Sequence, residues 1–144
     1  MKRNEMHMTF LADSVNESLA RVAVAAFVSE LNPTMEEIED IRTAVSEAVT
    51  NAIIHGYETK RGQVELHCIL VDKRLHIEVK DNGRGIADIE QAKKPFYTTR
   101  PEEERSGMGF AFMEAFMDVV KVESEVDFGT RVIMEKKIGT VQDE

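Results

Sequence analysis

Three short stretches hold side chains whose types and spacing could do chemistry together. Thr43, Glu47, Asn51 and His55 recur at four-residue spacing, so a helix would set them in one polar line. A solvated helix face is the plain account of such a line. Against it, Asn51 is a poor mid-helix residue, because its side chain competes for backbone hydrogen bonds. It also stands one turn from the carboxylate of Glu47, a pair suited to holding a divalent cation and steering a proton. Oxygen ligands of this kind suit Mg²⁺, which binds through one or two protein groups together with substrate phosphates.

The second stretch, Asp81-Asn-Gly83-Arg-Gly85, follows a predicted strand. Asn-Gly and Gly-Arg-Gly form ordinary turns in any protein. A strand-end aspartate can also accept a hydrogen bond from an exocyclic amine such as that of adenine, with glycines letting a flat base approach the backbone. The third, Gly107-Met-Gly109, opens a predicted helix. It reads as a hinge, or as a phosphate contact, since unpaired N–H groups and the helix dipole favour anions there. Arg105 and Ser106 just before it could add charge and a hydroxyl.

Other nucleotide and metal signatures are absent. There is no G-x-x-x-x-G-K-[ST], and both Gly-x-Gly pairs lack the third glycine of a dinucleotide fingerprint. Asp127-Phe-Gly129 imitates the kinase D-F-G without its companion motifs and falls between two predicted strands, where a hairpin turn is expected. Four scattered histidines and one cysteine have no zinc spacing.

The elements that must carry these stretches follow from periodicity. Residues 6–12 alternate loosely and predict an opening strand. Ser14-Val-Asn-Glu17 has the form of a capping box, and apolar residues follow at helical spacing through Leu31, before Asn32-Pro33. Thr34-Met-Glu-Glu37 is a second capping box. It opens a helix expected to reach about His55, with Ile38, Ile41, Val45, Ala48 and Ala52 as its buried stripe. Strands are predicted over 63–71 and 74–80 around Asp72-Lys73. Residues 82–106 have little periodicity beyond a brief helix over Ile86–Lys93, and loops that long are often active-site lids. A third helix is predicted from Gly107 to Met117, then strands over 119–126 and 130–138, then a short tail, 139–144. The order β-α-α-β-β-loop-α-β-β predicts an α+β fold, a two-layer sandwich with helices on one face of a mostly antiparallel sheet. One domain is expected over 1–144.

Composition agrees with a single core. The chain has 144 residues, 42% of them hydrophobic, with eight methionines and no tryptophan to fill that core. A net charge of −9 argues against binding nucleic acid or anionic membranes, so a nucleotide site must supply its own positive field locally. A lone cysteine, Cys68, in an apolar run reads as a buried structural thiol in a reducing compartment. With no apolar leader and no run long enough to span a bilayer, a cytoplasmic location is expected.

Together, Glu47…Asn51…His55-Gly56, Asp81-x-Gly83-x-Gly85 and Gly107-x-Gly109 resemble the N, G1 and G2 boxes of the GHKL ATPase/kinase superfamily, with its Bergerat ATP-binding fold. Within it, Ser46-Glu-Ala-Val-Thr-Asn-Ala-Ile-Ile-His-Gly-Tyr57 and Glu104-Arg-Ser-Gly-Met-Gly-Phe110 are similar to segments of the anti-sigma serine kinases of Bacillus-type spore formers. The resemblance implies that Asn51 ligates Mg²⁺ between the phosphates of ATP or ADP. Glu47 would act as general base toward, or orient, a serine hydroxyl on a partner. Asp81 would bind the adenine amine, with Gly83 and Gly85 shaping the pocket and Thr130 closing its side. Residues 88–106 would form an ATP lid, placing Thr98, Thr99, Arg105 and Ser106 near the phosphates that Gly107 and Gly109 contact. Arg21 matches a position that grips both a sigma factor of the sporulation sigma-F type and an anti-anti-sigma factor, the phosphoacceptor substrate. A homodimer is also implied. A nucleotide-regulated sigma-binding module of the stress-response type, or a histidine-kinase-like ATP domain, are the alternatives.

Overall fold

Burial alternates strictly along β2 (Gln63–Val71) and β3 (Arg74–Asp81), so each strand buries one face; the other is polar apart from Ile69 and Val71 at the end of β2. The computed structural model describes residues 2–56, 62–94 and 109–139. Among these, β1 (Arg3–Leu11), β2, β3, β4 (Val119–Glu125) and β5 (Gly129–Lys137) form one sheet in the order β1-β2-β3-β5-β4. Every neighbouring pair in it is antiparallel. Register sets the inner face: Leu66 lies opposite Val79, Cys68 opposite Ile77, Leu70 opposite Leu75, and Val79 opposite Val132. All of these are buried.

Helices α1 (Val15–Val28), α2 (Met35–Asn51) and α4 (Gly109–Phe116) supply the second layer, and α2 packs against both others. The three-four spacing of α2 does what it predicts: Ile41, Val45, Ala48 and Ala52 are buried and Ile38 is packed against the core. Phe110, Met113 and Met117 are buried in the same core cluster, and α4 contacts β4. The α+β two-layer prediction holds. Among the described residues no helix is long and apolar enough to cross a membrane.

The two capping boxes behave differently. Thr34 forms the predicted reciprocal pair, its Oγ1 accepting from the Glu37 N–H at 3.0 Å while Glu37 Oε1 accepts from the Thr34 N–H at 2.8 Å. The second oxygen of Glu37 accepts from the Gly139 N–H at 2.9 Å, so the start of α2 is tied to the chain leaving β5. Ser14 makes no such bond, because its own backbone is already helical (φ −58°, ψ −25°) and its hydroxyl cannot turn back on the first turn. Asp13 does this work instead, its Oδ1 accepting from the Val15 N–H at 3.1 Å.

Other boundaries also move. The opening strand starts at Arg3 rather than at residue 6, since Arg3 and Asn4 pair with Val71 and Leu70 through backbone alone. The first helix ends at Val28, in a 3-10 turn (Ser29–Leu31), and Asn32 takes a left-handed conformation (φ 50°) that stops it. The predicted brief helix contracts to α3 (Ile89–Ala92), capped by Asp88 Oδ1 accepting from the Gln91 N–H at 3.0 Å. Cys68 is fully buried and burial pushes its thiol up to about 12, as expected of a structural thiol.

Thr34→Ala is expected to lower stability by about 1 kcal/mol, while Ser14→Ala leaves it within about 0.5 kcal/mol. Urea midpoints at unchanged slope check this contrast, and equal losses in the two variants would contradict the capping assignment.

Candidate functional site

The inner face of the sheet changes character at one end. One cross-strand row runs from Phe10 through Val64, Asp81 and Thr130 to Ser124, because register pairs each with the next. Its first two members are apolar core; its last three are polar. Asp81 holds the inward position that Leu75, Ile77 and Val79 hold along the same strand, and it is only 3% exposed. Burial drives its carboxyl pKa upward, opposed by backbone N–H groups of Gly83 and Thr130 that stabilise the charged form. The Gly83 N–H donates to Asp81 Oδ1 at 2.9 Å, so the residue after next closes the turn on the carboxylate.

Glycines let the surrounding backbone pass close to this corner. At Gly85 (φ +77°) a Cβ would lie 2.3 Å from the Glu125 carbonyl oxygen, and at Gly129 (φ +121°) 2.1 Å from that of Asp81. Neither contact is possible for another residue without backbone movement. The hydroxyl of Ser124 ties the pieces together: it accepts from the Ile86 N–H at 2.6 Å and donates to the Gly129 carbonyl at 3.1 Å. It also shares a 2.8 Å hydrogen bond with Thr130 Oγ1. Asp81, Gly83, Gly85 and Thr130 are thus assembled at one corner, with Ser124 and Gly129 as members that sequence reasoning missed. Ser124 left a signal, being the polar residue in an inward series with Val120 and Val122.

Thr43, Glu47 and Asn51 of α2 are half-buried rather than exposed. Thr43 and Glu47 border a cleft of about 300 Å³ together with Arg21 from α1 and with Glu39, Arg42 and Ser46. Arg21 is held there by an ion pair from its Nε to Glu17 Oε2 at 2.5 Å. Asn51 is the last α-helical residue, and the expected run to His55 is replaced by a π-type turn, Ala52–Gly56. Such turns are frequent at functional sites. This one packs against β3 and β5, the strands that carry Asp81 and Thr130. Gly109 begins α4, whose axis packs on the same helix. The side chain of His55 and residues Thr98, Thr99, Arg105, Ser106 and Gly107 lie outside the described residues.

A buried strand-end carboxylate sits among close-packed glycines on strands against which the turn after α2 packs. The chain belongs to the histidine kinase-like ATPase domain family, an ATP-binding class, which its residues 10–136 match. Among curated relatives it is 59% identical to an anti-sigma F factor of Clostridium acetobutylicum over 143 residues, 99% of this chain and 100% of that one. It is likewise 59% identical to an anti-sigma F factor of Geobacillus kaustophilus over 137 residues, 94% of each. The fold is also that of a solved Mycobacterium tuberculosis structure of RsbU and RsbW domains, with a TM-score of 0.68 at 22% identity. That match covers 94% of this chain and 32% of the other.

Because burial raises the pKa of Asp81, the stability linked to its protonated form is present below its ordinary 3.8 and is lost as pH rises through the folded value. Asp81→Asn removes that cost and keeps an oxygen for the Gly83 N–H. At pH 7 the variant is therefore expected to be at least as stable as the parent, with the difference shrinking toward pH 4, while adenine-nucleotide affinity falls at least about tenfold. Urea titrations at both pH values, beside nucleotide titrations, check it; parallel losses of stability and affinity would mark a purely structural turn.

Proposed function

We propose that this chain is an ATP-dependent protein serine kinase that doubles as an anti-sigma factor. It would hold a sporulation sigma factor of the sigma-F type away from RNA polymerase and phosphorylate a serine of the anti-anti-sigma antagonist. The observation that carries this reading is the cleft in which Glu47 of α2 and Arg21 of α1 meet, in a chain whose full-length relatives carry the name anti-sigma F factor. A carboxylate one helical turn from the nucleotide end of α2, open to a second protein, suits proton removal from an incoming hydroxyl.

Each residue has a task in this reading. Asp81 accepts from the adenine amine, with Gly83, Gly85 and Thr130 shaping that end of the pocket. Asn51 offers a neutral amide oxygen, the hard donor that Mg²⁺ takes alongside phosphate oxygens and water, so the residue fits the ion. Mg²⁺, when bound, neutralises charge on the transferring phosphoryl group. Gly107, preceding α4 in sequence, and Gly109, its first residue, meet the phosphates through backbone N–H groups, and Thr98, Thr99, Arg105 and Ser106 belong to a lid over them. Glu47 takes the serine proton, and Arg21 grips the partner. Phosphoserine adds about −1.5 to −2 charges at pH 7, and the chain itself carries −9, so like charge favours release of the product. The protein acts in the cytoplasm as a homodimer, for which the edge of β1 away from β2 offers a pairing site.

Glu47→Ala is expected to keep ATP affinity within about twofold and to slow phosphotransfer by at least about 100-fold. Labelled ATP with candidate anti-anti-sigma proteins checks both, and the label should be acid-stable on serine. A variant that phosphorylates at the parental rate would remove Glu47 from the chemistry. A parent that binds ATP and its partners without moving phosphate would leave a nucleotide-regulated binding module.

A further inference from the structure

The polar end of the inner sheet face sets three side chains beside one another: Asp81 on β3, Thr130 opposite it on β5, and Ser124 opposite Thr130 on β4. Asp81 and Thr130 are both buried. Each hydroxyl here has one proton to give and two lone pairs, whereas an ionised carboxylate only accepts. Where the two protons go decides what the three side chains offer a ligand.

Ser124 is fully engaged. Its Oγ accepts from the Ile86 N–H at 2.6 Å, and its single proton goes to the Gly129 carbonyl at 3.1 Å, an atom with no proton to return. The 2.8 Å contact between Ser124 Oγ and Thr130 Oγ1 still needs a proton, and Thr130 has to supply it. Thr130 is thereby left with lone pairs alone. Its backbone N–H is also taken, by the Asp81 carboxylate, which the Gly83 N–H meets as well. Neither Asp81 nor Thr130 keeps a proton to donate.

The backbone holds Ser124 at this post. β4 comes so close to the turn after β3 that Gly85 has no room for a Cβ against the Glu125 carbonyl. Two residues further on, the Asp127 N–H donates to the Arg84 carbonyl at 2.7 Å. The hairpin and the 84–86 segment are thus locked together around the Ser124–Ile86 bond.

We propose that Ser124 is a positioning residue for base specificity: by taking the Thr130 proton it makes the Asp81–Thr130 corner a pure acceptor, which takes the exocyclic amine of adenine and rejects a purine with a carbonyl in that place. This rests on the assignment of the corner to adenine above. An amine brings two N–H groups to two acceptors. A carbonyl brings lone pairs to the same oxygens, and buried polar groups left unpaired in this way are costly. Without the Ser124 hydroxyl, the Thr130 proton turns toward the ligand and meets a carbonyl. Ser124 acts on the base only through Thr130.

The test titrates the full chain calorimetrically with ATP and with inosine triphosphate (ITP), which carries a carbonyl in place of the amine and the ring proton that accompanies it. The parent is expected to favour ATP about 100-fold. Ser124→Ala is expected to cut that ratio about tenfold. Loss of the partner for the Ile86 N–H weakens both nucleotides alike and leaves the ratio untouched. Ser124→Cys, whose thiol is a weak partner in both directions, should fall between the two. Adding Thr130→Val to Ser124→Ala removes the freed proton and should raise the ratio again. Affinities that fall together in Ser124→Ala, at the parental ratio, overturn the proposal and leave Ser124 a structural tie. A ratio that stays low in the double variant also overturns it, because the Thr130 proton would not be the cause. A parent that binds ATP and ITP equally sinks the adenine assignment itself, and the role of Ser124 falls with it.

Discussion

A carboxylate placed where a strand would ordinarily bury an aliphatic side chain governs the architecture of this protein. Asp81 occupies the inward end of β3, almost wholly out of water, and burial penalises its charge. It remains usable as an acceptor because backbone N–H groups from Gly83 and Thr130 offset that penalty. Those donors are in reach only because β5 pairs beside β3 in a fixed register and because Gly85 and Gly129 let neighbouring backbone pass at distances no Cβ would permit. The local glycine pattern and the long-range strand pairing are therefore two halves of one constraint.

Helix α2 serves the same corner from the other layer. Its buried stripe anchors it between α1 and α4 over the sheet, and its half-buried line carries Glu47 and Asn51. The winding change after Asn51 lets the chain end the helix against β3 and β5 rather than project past them. A polar line that looked like an ordinary wet face thus borders a cleft at Thr43 and Glu47 and ends at the turn that packs on β3 and β5. The Thr34–Glu37 box adds rigidity at the far end, where its second carboxylate oxygen holds the strand leaving β5.

The element order, the one-sided sheet and the buried stripe of α2 were legible in the sequence because two- and 3.6-residue periods report directly which side faces the core. Boundaries were less so. Arg3 and Asn4 join β1 by backbone pairing, which leaves no apolar trace, and the Ser14 box has the right letters but the wrong backbone. Among candidate site residues, Asp81, Gly83, Gly85 and Thr130 were named and are found together, whereas Ser124 and Gly129 were passed over. Both act through partners across a hairpin, and single-residue patterns carry no word about who sits opposite.

From residue order alone came the types and local spacing of the chemical groups: a glutamate and an amide one turn apart, an aspartate closing a strand, glycines where backbone must turn. These are short-range properties, set by the helical and pleated repeats themselves. Tertiary structure alone decided that Arg21 and Glu47 face one cleft, that Ser124 bridges Ile86, Gly129 and Thr130, and that the Val15–Leu19–Val22 row stays in water. The reason is physical: such contacts depend on which layer covers which face and in what register, and that is settled by packing between segments far apart in the chain.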